Sequence, residues 1–141
     1  MKRKAAFKRA GRTLPALVGG AVALTLYTAG PALADGQACY PNGCGSSPAA
    51  GARWVDYGDI MYIHDYKPDG KATVGQLQYY EPGEGWYTVG PVELWNRNGY
   101  DGPPAKYNLE VPEGKQVRYS SCLGYVSGST CTDWKYEVND G

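Results

Sequence analysis

From Arg53 to the C-terminus, apolar and aromatic positions come in short runs of Tyr, Val, Ile, Leu and Trp, separated by Gly, Pro, Asp and Asn. Such runs read as short strands, and no stretch repeats apolar residues at the three-and-four interval of an amphipathic helix. The pattern predicts strands over 53–66, 72–80, 86–89, 92–96, 106–111, 115–122 and 131–138. The expected fold class is all-β: a single antiparallel β-sandwich or small barrel of about six to seven short strands.

Two hairpins can be put in register from their turns. In Lys67-Pro68-Asp69-Gly70-Lys71, Pro68 suits the first corner of a type I turn and Gly70 the left-handed residue that follows, which predicts a three-residue loop. Pairing Lys67 with Lys71 sets Met61 opposite Leu77 and Ile63 opposite Gly75 on one face. The other face then receives Ile60, Tyr62, His64 and Tyr66 with Val74, Gln76, Gln78 and Tyr80. In the last hairpin, Cys122 opposite Cys131 sets Tyr119 against Trp134 and Val117 against Tyr136, leaving Arg118, Asp133, Lys135 and Glu137 on the far face. Tyr107, Leu109 and Val111 alternate with Asn108 and Glu110, and Pro112-Glu113-Gly114 repeats the turn chemistry of residues 68–70.

Ahead of the strands the chain reads differently. Lys2, Arg3, Lys4, Lys8, Arg9 and Arg12 precede an apolar run from Leu14 to Tyr27, and Ala32-Leu33-Ala34 is a small-x-small cleavage site, so residues 1–34 are expected to be a secretory signal peptide. The apolar run is interrupted by Gly19 and Gly20 and is too short for a retained anchor of about 20 residues. A lipid-modified Cys39 is disfavoured by Asp35, Gly36 and Gln37 before it, and the n-region carries no adjacent arginine pair. Residues 35–52, rich in Gly, Pro, Ser and Ala, are expected to form an irregular N-terminal arm holding a disulfide turn, followed by an antiparallel β-domain over 53–141.

Export changes the charge and cysteine arguments. The 14 basic and 14 acidic residues balance over the whole chain, but six of the basic ones lie in the leader, so the expected mature chain carries a formal charge of −6. That disfavours a nucleic-acid partner, which needs clustered Lys and Arg, and no membrane association is expected once the leader is cleaved. Four cysteines in a small exported chain predict two disulfides, for which three pairings exist. Local pairing is expected: Cys39 and Cys44 flank the turn Tyr-Pro-Asn-Gly, and Cys122 and Cys131 flank an eight-residue loop rich in Gly and Ser. These spacings do not match zinc knuckles, and no metal or other cofactor is expected. Asp65-x-Lys67-x-Asp69-Gly70 lacks the oxygen ligands of a calcium loop at its third and last positions, filled by Lys67 and Gln76.

Candidate catalytic groups are sparse. The only histidine, His64, stands beside Asp65 in an aromatic strand; no nucleophile signature surrounds a serine, and Glu81 and Glu84 lie in a Pro-Gly loop. A non-enzyme is expected. The surplus is aromatic instead: twelve tyrosines and four tryptophans after Ala34, more than one small core needs. From the hairpin register, Tyr62, His64, Tyr66, Gln76, Gln78 and Tyr80 are the candidate ligand-binding platform, with planar rings beside amide groups. The expected function is a secreted binding module for a carbohydrate or cell-envelope polymer. The alternative is a proteinaceous inhibitor of a secreted hydrolase, its reactive segment in Asn96 to Lys106 or Leu123 to Thr130.

The basic leader ending Ala-Leu-Ala-Asp, the stretch Asp65 to Ala72, Trp95-Asn96 with Gly99, Tyr107-Asn108-Leu109, and Tyr119 to Cys122 followed by Cys131-x-x-Trp134 together resemble the small secreted proteins of filamentous actinobacteria. The resemblance implies secretion, disulfides and a β-fold. It implies no activity and carries over no site residue.

Overall fold

Strand-forming runs dominate the computed structural model, which describes residues 36–41, 43–45 and 47–141; the leader and its cleavage site lie outside them. Nine strands form among the described residues: β1 (Gly36–Tyr40), β2 (Ala50–Val55), β3 (Ile60–Asp65), β4 (Thr73–Glu81), β5 (Gly85–Thr88), β6 (Leu94–Asn96), β7 (Ala105–Asn108), β8 (Gln116–Leu123) and β9 (Lys135–Val138). The first sheet runs β1-β2-β3-β7. The second runs β5-β4-β8-β9, with β6 sharing the β5 side of the long β4. Every pairing is antiparallel. Among the described residues no helix is long and apolar enough to cross a membrane.

Alternation along the strands decides what is buried. In β3, Met61 and Ile63 turn inward between Ile60, Tyr62 and His64, and in β8 Val117 and Tyr119 turn inward beside an outward Arg118. Trp54, Met61 and Ile63 of the first sheet and Leu77, Leu94, Val117 and Tyr119 of the second belong to one apolar cluster. Val89, Leu109 and Val111 add to it from connecting segments. Each large side chain so buried contributes about 1.5–3 kcal/mol. Polar links also join the sheets: the buried Asn96 donates its side-chain N–H to the Ile63 carbonyl at 2.9 Å, and the Tyr107 hydroxyl donates to the Trp95 carbonyl at 2.7 Å.

Both disulfides are the local ones, Cys39–Cys44 and Cys122–Cys131, and no cysteine is free. Other expectations need correction. Among the described residues the strand count is nine rather than six to seven: β1 is an addition, and the expected strand 53–66 breaks into β2 and β3 at a tight turn, where Gly58 and Asp59 have positive φ and the Asp59 N–H bonds the Asp56 carbonyl. Part of the supposedly irregular arm is strand, since Gly36–Tyr40 pairs with Ala50–Trp54.

The largest correction concerns the hairpin built on residues 67–71. β3 is flanked on both edges by β2 and β7, so β4 cannot join it and crosses to the other sheet. The turn chemistry is present, with Gly70 at φ +73° and the Asp69 carboxylate accepting the Lys71 N–H at 2.9 Å. A turn specifies local direction, not which sheet the chain enters next. Ile63 and Gly75 are indeed neighbours, but across the core: a Cβ on Gly75 would lie 2.2 Å from Ile63 Cδ1.

Candidate functional site

The separation of β3 from β4 divides the expected platform. Tyr62, His64 and Tyr66 lie on the outer face of the first sheet, whereas Gln76, Gln78 and Tyr80 lie on the outer face of the second. On the first face, Arg53 and Lys106 each approach the Tyr62 ring at 6.0 Å, and the His64 and Tyr66 rings stack at 5.3 Å. Tyr66 receives a hydrogen bond from the Gln37 amide and covers Gly51, the space a side chain would need. Burial and then the Arg53 charge lower the His64 pKa, and its Nε2 is buried with no hydrogen-bond partner among the described residues. These rings are packed against their neighbours, and the neighbouring Asp65 accepts the Lys67 N–H rather than orienting His64.

The second face gathers residues that the expected register had put elsewhere. Cys122 does pair with Cys131, but further along β8 the partners are Tyr119 with Lys135, Arg118 with Tyr136 and Val117 with Glu137. Two residues lie between Tyr119 and Cys122 but three between Cys131 and Lys135, so one extra residue bulges out between the disulfide and β9. A slip of one residue exchanges the faces. Trp134 and Tyr136 therefore stand outside with Arg118, not inside with Tyr119. Their inward neighbour Glu137 accepts the Tyr119 hydroxyl at 2.7 Å, and burial raises its pKa.

The outcome is a continuous aromatic surface centred on Arg118. Its guanidinium lies 4.2 Å from the Trp86 ring centroid and 4.5 Å from that of Trp134, both within cation–π range. Trp86 meets the Tyr136 ring edge-on at 5.7 Å and the Tyr80 ring at 5.3 Å. Tyr136 is 51% exposed and Tyr80 37%. The glutamines beneath are fasteners: Arg118 Nε donates to Gln78 Oε1 at 2.8 Å, Gln78 Nε2 to Thr88 Oγ1 at 3.4 Å, and Ser120 Oγ to Gln76 Oε1 at 3.3 Å. Beyond Trp134 the face continues into a shallow cleft of about 300 Å³ walled by Gln76, Ser120 and Asp133. A larger cleft of about 570 Å³ lies on the far side of Trp134, against β1, where Tyr40 donates to the Ser129 carbonyl.

Trp86, Arg118, Trp134 and Tyr136 are thus the members of the site that sequence reasoning missed. Arg118 was legible, since Cys122 parity turns it outward; Trp134 and Tyr136 were not, because Trp-Lys-Tyr-Glu alternates equally well in either sense. Among the described residues no group of three His, Cys, Asp or Glu side chains is placed to hold a metal. No family model matches this chain, and neither a curated protein nor a solved structure does.

Proposed function

We propose that this chain is a secreted, non-catalytic binding module for a carbohydrate or cell-envelope polymer, and that the ligand lies on the outer face of β5-β4-β8-β9. The observation that carries this reading is the open array of Tyr80, Trp86 and Tyr136 around Arg118 on a sheet face that also presents Trp134 and Val138 beside glutamine, serine and threonine. Aromatic faces take the apolar faces of sugar rings, and the amides and hydroxyls beside them suit sugar hydroxyls. A flat, open face suits a polymer that extends beyond it. The two disulfides fit an oxidising compartment, as export would require.

The test is retention of the mature protein, starting at Asp35, on insoluble polysaccharides and cell-wall material. Tyr136→Ala and Trp86→Ala are expected to cut retention about fivefold each, the equivalent of about 1 kcal/mol of lost stacking. Tyr62→Ala, on the opposite outer face, is expected to leave retention unchanged. Retention unaffected by Tyr136→Ala and Trp86→Ala would remove this surface from consideration.

The inhibitor reading has its own support in two braced loops with exposed tyrosines. Asn98, two residues before the exposed Tyr100, donates to Asn96 Oδ1 and to the Pro103 carbonyl, and the disulfide-closed loop 123–130 carries Tyr125, 60% exposed. Stoichiometric inhibition of a secreted hydrolase, abolished by Tyr100→Ala or Tyr125→Ala, would favour it over the platform.

A further inference from the structure

On the aromatic face, the charge of Arg118 is the feature that stacking on neutral sugars leaves without a task. A guanidinium carries five N–H donors. Arg118 spends one, from Nε to Gln78, and its remaining contacts are the rings of Trp86 and Trp134. Among the described residues no carboxylate forms an ion pair with it, although the chain after Ala34 holds 14 acidic residues against eight basic ones. Lys115, by contrast, is paired with Glu81 at 2.9 Å. Two tryptophans and a glutamine hold the Arg118 head group in place, which lowers the ordering cost of using its two terminal nitrogens.

We infer that Arg118 receives a carboxylate carried on a sugar ring, so that the ligand is an acidic, uronate-bearing polysaccharide. This rests on the platform reading above and names its ligand class. The chemistry favours a carboxylate, because the two Nη groups present the planar fork that carboxylate oxygens match. The surroundings favour a sugar rather than an acidic peptide: Tyr136 is the direct cross-strand partner of Arg118, and Trp86 adjoins both. In a uronate the carboxylate is one bond from the ring. A residue stacked on Tyr136 or Trp86 therefore has its anion within reach of Arg118. A polyphosphate backbone such as nucleic acid would meet one cation here in a chain of net negative charge, and is disfavoured.

Titration calorimetry of the mature protein with oligogalacturonate, with the same chain after carboxyl reduction, and with polyglutamate separates the cases. The protein is expected to bind oligogalacturonate about tenfold or more tightly than the reduced chain, the range of a charge-assisted hydrogen-bond pair. Arg118→Gln is expected to erase that preference while binding of the reduced chain persists. Arg118→Lys, which keeps the charge and loses the fork, is expected to lower the preference several-fold and serves if Arg118→Gln melts early. Equal affinity for the two chains, a preference that survives both substitutions, or polyglutamate bound as tightly as oligogalacturonate would overturn the inference. If the reduced chain binds and Tyr136→Ala weakens it, yet the carboxylates add nothing, only the charge inference fails. If neither chain binds, it fails as well, and polysaccharide retention unmoved by Tyr136→Ala would show that the platform has failed with it.

Discussion

Gly75 shows how far a single hydrogen can decide packing between the sheets. Its φ is not the issue; the space above it is filled by the end of Ile63, with the Ala52 methyl also close. Gly75→Ala forces the Ile63 side chain aside in a tightly packed core, and overpacking of this kind costs about 1–3 kcal/mol. Ile63→Val alone leaves a small cavity and costs about 0.5–1.5 kcal/mol. Because the second change removes the methyl that the first one strikes, the double variant is expected to be more stable than the sum of the two losses. Urea unfolding of the four proteins measures this, and strictly additive losses would contradict a contact across the core.

At the scale of elements, the C-terminal hairpin is where geometry produces the site. Cys122 and Cys131 pin one register, β8 and β9 pair in another, and the bulge between them turns Trp134 and Tyr136 toward Arg118. The bridge closes a short loop whose end is also held by the Leu123 N–H on the Thr130 carbonyl at 2.9 Å. Replacing both cysteines by alanine is expected to cost about 2–3 kcal/mol from the freed unfolded chain. Faster hydrogen exchange at the Leu123 amide should accompany the loss. An unchanged urea midpoint would show that loop closure contributes nothing here.

For the molecule as a whole, two half-buried groups pull stability in opposite directions with pH. The folded-state pKa of His64 is lowered, by burial first and by Arg53 second, so its contribution is present above the unfolded value of 6.5 and is lost as pH falls below it. Burial raises that of Glu137, so its contribution is full below 4.5 and is lost as pH rises through the folded value. Melting temperatures from pH 7.5 to 5 are therefore expected to drop more for the wild type than for His64→Gln. Parallel curves for the two proteins would mean that His64 titrates alike folded and unfolded.

Strand content, the two local disulfides and the inward alternation of Met61 with Ile63 and Val117 with Tyr119 were legible in the sequence, because each depends on neighbours within a few residues. Sheet membership was not. The residues 67–71 encode a turn, and only the occupation of both β3 edges by β2 and β7 sends β4 into the other sheet. Nor was the face of Trp134 and Tyr136, since one bulged residue reverses a period of two and leaves no mark in the alternation itself. The aromatic surplus was therefore readable as composition. Its assembly around Arg118 was decided by strand partners distant in sequence, whose packing no local pattern encodes.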